Sequence, residues 1–197
     1  MNIERFICGS LEANGYVLRQ RDGGEALIVD PGYEPARYKE FVKAHGLRPK
    51  MILLTHTHHD HAGKAEALAG EYDCPVAAHR EEADYYKGRI DVLFDGGETL
   101  DLDGERIDVL HTPGHTAGGL CFYADRSKVC FTGDTIFNVD TGYTHFPGGS
   151  AERMKRSMQD VVNKWGNDVT IYPGHGDPES MRIVRQVNQE FLDYVSL

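Results

Sequence analysis

Residues 55–63 read THTHHDHAG. Within six positions His56, His58, Asp60 and His61 bring together three imidazoles and a carboxylate. Those groups are ligands for zinc, iron or manganese, so the chemistry this stretch offers is metal binding. Further on, His115 follows RIDVLHTPG, Asp134 follows KVCFTG and His175 follows VTIYPG. The set is five imidazoles and two carboxylates with no thiolate, which excludes a cysteine-built structural zinc site. Seven ligands are too many for one tetrahedral ion. They divide well between two divalent ions that share a carboxylate, with zinc the first expectation and iron or manganese the alternatives. Two ions roughly 3.5–4 Å apart can hold a hydroxide and clamp the attacking and leaving atoms of a hydrolysis.

A water on such an ion has its pKa lowered to about 7, so no protein base is required. The chain has no G-x-S-x-G motif, and this chemistry needs none. A dedicated proton donor for a poor leaving group is also missing. A thiolate needs little help to leave, since a free thiol has a pKa of about 8.5, so thioester hydrolysis suits the available groups.

The elements that must position these residues are short apolar runs separated by Gly/Asp turns. YVLRQ (16–20) and EALIVD (25–30) flank RDGG and read as a hairpin. A helix is expected over 34–46 with Gly46 as its stop, followed by a buried strand MILLT (51–55), a helix over 63–72, a strand PVAAH (75–79) and a charged helix near 80–87. Strands are expected at 98–102, 106–112, 120–124 and 128–132. A helix capped by Ser150 follows over 150–166, then a strand at 169–173. The final helix is expected over 178–195, with Asp177 as N-cap and Pro178 at its first position. Two mixed β/α halves of this kind call for a layered α/β sandwich in a single domain spanning 1–197. Each ligand-type residue then falls just beyond the carboxyl end of a strand, the edge where α/β sheets keep their sites.

Composition narrows the partners. The 21 basic and 31 acidic residues leave a net charge of −10, which disfavours nucleic acid. No apolar stretch approaches a membrane span, and the N-terminus lacks the pattern of a signal peptide. The four cysteines have no metal or disulfide spacing and read as buried free thiols, so a cytoplasmic protein acting on a small molecule is expected.

The run His56-x-His58-x-Asp60-His61, with HTPGHTAGG, FTGDTIF and YPGHGD in order, resembles the metallo-β-lactamase fold superfamily. GDTIF and PGHT are most similar to its glyoxalase II-like hydrolases. The resemblance covers nearly the whole chain and implies a four-layer αββα sandwich. It implies that His56, His58 and His115 hold one metal, that Asp60, His61 and His175 hold the second, and that Asp134 bridges them. Asp60 and Asp134 are the candidate catalytic carboxylates.

Two departures bear on the substrate. Glyoxalase II proper carries a further helical domain, whereas 22 residues follow His175 here. Where that family has a basic residue after the glycine equivalent to Gly142, Tyr143 stands, and where it has an aromatic two positions later, His145 stands. Both are candidate substrate contacts. The leading expectation is a dinuclear hydrolase of thioesters, S-lactoylglutathione or a related acyl thioester. The alternatives are a mononuclear-iron persulfide dioxygenase and a lactonase. The dioxygenase family typically has Gly-Arg-Thr-Asp where this chain has Gly142-Tyr143-Thr144-His145. His45, His79 and His111 read as structural, and His59 as solvent-facing or supporting.

Overall fold

The computed structural model describes residues 1–196. Strands β1 (Asn2–Cys8), β2 (Ala13–Arg19) and β3 (Glu25–Val29) form an antiparallel meander. The same sheet continues in parallel through β4 (Arg48–Leu53), β5 (Val76–His79) and β6 (Val92–Phe94). The second sheet runs antiparallel through β7 (Thr99–Leu102), β8 (Glu105–His111), β9 (Leu120–Ala124) and β10 (Val129–Gly133). Strand β11 (Thr170–Pro173) then pairs parallel to β10, and the short β12 (Glu179–Ser180) closes the edge.

Parallel neighbours need crossovers, and helices supply them. Helix α1 (Pro35–Ala44) links β3 to β4, while α2 (His59–Ala62) and α3 (Ala65–Tyr72) link β4 to β5. On the far side lie α4 (Ala151–Asp160), α5 (Met181–Val187) and α6 (Gln189–Val195).

Alternation along the strands explains the layering. In β3, Ala26 and Ile28 point into a core shared with Tyr38 and Val42 of α1 and Leu68 of α3. Leu27 and Val29 point the other way, into a core shared with Val109, Phe122 and Phe131 of the second sheet. In β9 and β10 the same alternation sends Cys121 and Cys130 outward, against Met154 and Met158 of α4 and Phe191 of α6. Three cores between four layers make an αββα sandwich, as expected.

Several boundaries differ from expectation. Strands β1 and β6 were not anticipated. Residues 80–87 form only a single 3-10 turn, Arg80–Asp84. The helix expected over 63–72 starts at Ala65, and the helix over 150–166 ends at Asp160 with a 3-10 turn at Val162–Lys164 after it. Ser150 does cap α4, its Oγ accepting from the Arg153 amide at 3.3 Å. Asp177 is no cap: it pairs with Arg5 at 2.9 Å, and Pro178 precedes β12 rather than opening a helix. The last helix is two helices broken at Asn188, whose side chain caps α6 through the Phe191 amide at 2.9 Å. All four cysteines are free and buried. Among the described residues no helix is long and apolar enough to cross a membrane.

Candidate metal centre

Every ligand-type residue leaves the carboxyl end of a strand or the turn that follows. Asp30 comes directly after β3, His56 and His58 after β4, His115 after β8, Asp134 after β10 and His175 after β11. The single turn of α2 carries Asp60 and His61. The structure gathers His56, His58 and His115 into one cluster and Asp60, His61 and His175 into another, the ligand atoms of each lying within 4.8 Å of one another. Asp134 stands between them. Its Oδ1 is 3.4 Å from His61 Nε2, and its Oδ2 is 3.5 Å from His115 Nε2 and 3.7 Å from His175 Nε2. Gly174 permits this approach, since a Cβ there would lie 2.1 Å from Asp134 Oδ1 and 2.6 Å from the His61 ring.

Hydrogen bonds at the far side of each ring fix which nitrogen faces inward. The Nδ1–H of His115 donates to the Tyr143 carbonyl at 2.7 Å, and that of His175 donates to the Leu11 carbonyl at 3.0 Å. His61 Nδ1 is 3.0 Å from Asp30 Oδ2. The Thr55 hydroxyl donates to Asp30 at 2.5 Å, so His56 Nδ1–H donates to Thr55 Oγ1 at 3.1 Å. Four rings therefore present Nε2 to the centre. His58 presents Nδ1, 2.9 Å from His115 Nε2.

This arrangement fits cations. His56 Nε2, His61 Nε2 and Asp134 Oδ1 are buried with no hydrogen-bond partner, which is costly unless something else satisfies them. Burial, together with the neighbouring imidazoles of His61 and His115, pushes His56 well below its ordinary pKa and keeps its lone pair free. Burial and His115 lower His58 in the same way. Burial opposes charge on His61, but the carboxylates of Asp134, Asp30 and Asp60 outweigh it and raise the pKa to about 9. The hydrogen bond to Asp60 raises His175. Burial would raise the Asp60 carboxyl, yet His175 and His61 hold it well below the usual carboxylate range. The proton that these carboxylates favour on His61 stands where a cation would, and cation binding must displace it.

Two buried carboxylates outside the seven candidate ligands hold the clusters in place, and the sequence alone did not single out either. Asp30 is 2% exposed. It accepts from the Thr55 amide at 2.8 Å and the Thr55 hydroxyl as well as facing His61. The available signal was an acid directly after a buried strand and before Pro31-Gly32. Glu82 is 1% exposed. Its Oε2 accepts from the amide and hydroxyl of Thr57, the residue between His56 and His58. Its Oε1 accepts from the Gly118 amide at 2.9 Å, in the loop that carries His115. Among the charges of REEADYYK, nothing in the sequence marks Glu82 as buried.

The other histidines have local roles. His45 meets Asp22 at 3.0 Å and packs on Phe41. His59 sits edge-on to Tyr33. His79 and His111 stack at 3.8 Å; His79 Nδ1 accepts the Glu81 amide and His111 Nε2 donates to the Ala117 carbonyl. Glu81 itself is paired with Arg153.

A cleft of about 880 Å³ opens over the two clusters. Tyr143 lines it, as does Phe146, whose ring centroid is 5.3 Å from that of His58. His145 is not among the residues lining this cleft. Its ring lies 4.5 Å from the Tyr143 ring, and it faces an adjoining recess with Asp193 and Tyr194. The aromatics beside the clustered histidines are Phe146, one position beyond His145, and Phe137, whose ring is 6.1 Å from that of His175.

Comparison with known proteins gives a consistent set. The family model described as "Metallo-beta-lactamase superfamily" matches residues 9–175. The chain is 29% identical to the "Probable metallo-hydrolase YqgX" of Bacillus subtilis, over the full length of both. It is 31% identical to the "Hydroxyacylglutathione hydrolase GloC" of Haemophilus influenzae, covering 89% of this chain and 91% of that one. Among solved structures, the BLEG-1 B3 metallo-beta-lactamase superposes with a TM-score of 0.89 at 26% identity, covering 95% of this chain and 98% of the other.

Proposed function

The chain belongs to the metallo-beta-lactamase superfamily, and from that premise we propose that it is a dinuclear metal-dependent hydrolase of thioesters. The observation that carries the hydrolytic reading is the pair of three-ligand clusters meeting at Asp134 beneath one open cleft. In this reading His56, His58 and His115 hold one divalent ion, Asp60, His61 and His175 hold the other, and Asp134 bridges. Zinc suits the donor set, and iron or manganese would also bind it. In the same reading residues 1–197 act as one catalytic domain, and the four free, buried thiols support a reducing compartment such as the cytoplasm.

The two ions, when bound, supply Lewis acidity that makes water nucleophilic near neutral pH and polarises the acyl carbonyl. The protein supplies the geometry. Asp30 orients His61, the Tyr143 carbonyl orients His115, and the Leu11 carbonyl orients His175, so their lone pairs converge without reorganisation. Asp60, whose Oδ2 is 3.3 Å from His175 Nε2, would orient the attacking water as well as help hold the second ion. Water adds to the acyl carbon and the C–S bond breaks, giving a carboxylate, a thiol and one proton. Among the described residues lining the cleft there is no Ser, Cys or Lys. A thioester suits this cleft because a thiolate departs without needing a dedicated proton donor. The GloC relative's name supports the same bond class.

The test is thiol release from a panel of acyl thioesters, with metal content measured on the same preparation. Turnover that requires about two metals per chain, falls at least a hundredfold on chelation and returns with zinc is expected. Two bound metals without turnover of any thioester would overturn the thioester reading and redirect the search to lactones. A single bound iron with no hydrolysis would favour a persulfide dioxygenase.

A further inference from the structure

The cleft over the metal centre has an uneven lining. Nine large apolar side chains are exposed among the described residues, and four of them, Leu11, Val139, Tyr143 and Phe146, line this one opening. Three of the four are at least 60% exposed, so they cover no core of their own. Such clustering marks a surface that expects an apolar partner. The wall is continuous with the metal ligands: the Phe146 ring is 5.3 Å from His58 and 6.0 Å from His115, and Tyr143 packs 5.5 Å from Phe146. Leu11 and Val139 line the same opening. At about 880 Å³ the space far exceeds a lactoyl group.

Charge points the same way. None of the cleft-lining residues is Lys or Arg, whereas Asp140 and Glu190 both line it. Glu190 is held in place by the Thr141 amide and hydroxyl, at 2.9 and 2.7 Å. A carrier bearing carboxylates or phosphates would meet those two acids with no lysine or arginine to receive it.

We propose that the cleft is a subsite for an extended apolar acyl or aryl group, and that the preferred substrates are apolar thioesters of uncharged thiols rather than glutathione conjugates. The inference rests on the hydrolase reading only for the bond that is cut. Fully burying a methylene is worth a factor of roughly four in affinity, so a partly open cleft should give about two- to fourfold per methylene.

The deciding experiment measures binding and turnover separately on the metal-loaded protein. Binding is measured by calorimetry with non-hydrolysable thioethers, S-butyl and S-hexyl derivatives of N-acetylcysteamine and of glutathione. Turnover is measured with the acetyl, butyryl and hexanoyl thioesters of N-acetylcysteamine and with S-lactoylglutathione. We expect S-hexyl-N-acetylcysteamine to bind at least tenfold tighter than S-hexylglutathione. Val139→Arg, at an exposed position, should cut that gap to about threefold. Phe146→Ser should flatten the dependence on chain length. Equal or tighter binding of the glutathione thioether, or affinity independent of chain length, overturns the subsite whatever the turnover. Chain-length-dependent binding of neutral thioethers without cleavage of any thioester leaves the subsite standing and overturns the thioesterase reading instead.

Discussion

Asp134 and Glu82 show how differently two carboxylates can serve one centre. Asp134 lies within 3.7 Å of three imidazoles drawn from both clusters, and one of its oxygens has no other partner. In Asp134→Asn the bridging charge is gone while size and packing remain. The expected outcome is a folded protein with lost or mismatched occupancy of the second ion and activity reduced at least a hundredfold. Full activity with two ions retained would remove the bridging role. Among the described residues Glu82 forms no ion pair. It ties the Thr57 turn to the Gly118 turn through three donors and so fixes His58 relative to His115. Glu82→Gln replaces one acceptor oxygen by a donor that must face an amide or hydroxyl, whereas Glu82→Asp keeps both acceptors on a shorter stem. Zinc affinity measured by chelator competition should fall 10- to 100-fold in the Gln variant and recover in part in the Asp variant. Unchanged affinity in both would reduce Glu82 to a structural polar residue. The seven candidate ligands can be picked out in sequence because they fall just after apolar strands or in the turns that follow. Glu82 gives no such signal and Asp30 only a weak one, because the groups they hold lie 25 or more residues away in sequence.

At the scale of elements, strands with a strong apolar pattern were legible and edge or broken elements were not. EALIV and VCFTG are buried at nearly every position, so nothing competes with a strand there. Strand β1 is an edge strand with most positions partly exposed, and its NIERFIC pattern is correspondingly diluted. The 178–195 segment has helical periodicity throughout, yet it breaks at Asn188 for a tertiary reason. That residue is fully buried, and its amide nitrogen donates to the carbonyls of Phe137 at 3.0 Å and Asp140 at 2.8 Å. One side chain thus caps α6 and pins the loop that forms one wall of the cleft. Asn188→Ala leaves the Phe137 carbonyl and the Phe191 amide unpaired and takes one of two donors from the Asp140 carbonyl, which keeps the Phe137 amide at 3.0 Å; this should cost roughly 2–4 kcal/mol. It should also speed amide exchange across 137–141 more than across β4 or β10. A destabilised protein whose loop exchange is unchanged would show that the cap matters and the tether does not.

For the whole molecule, the decisive fact is which layers supply the ligands. His56, His58, Asp60 and His61 come from the first sheet's connections, and His115, Asp134 and His175 from the second sheet's. A bound cation therefore joins the two halves of the sandwich at one edge, while the apolar core between the sheets joins them elsewhere. In the metal-free chain that edge relies on direct contacts, among them Asn14 Nδ2 donating to the Pro173 and Gly176 carbonyls and the Tyr16 hydroxyl donating to Pro173 at 2.6 Å. Ligand linkage then ties stability to metal supply. At a free zinc concentration about 100 times the dissociation constant, the folded state gains about 2.7 kcal/mol. For a chain of this size each kcal/mol moves Tm by roughly 2–4 °C, so saturating zinc should raise Tm by about 5–11 °C over the chelated protein. Asp134→Asn should show a smaller shift, because it removes the negative charge that stands between the two clusters. If zinc leaves Tm unmoved in the unmodified protein, the convergent lone pairs at this edge do not bind metal tightly, and the hydrolase reading loses its physical basis.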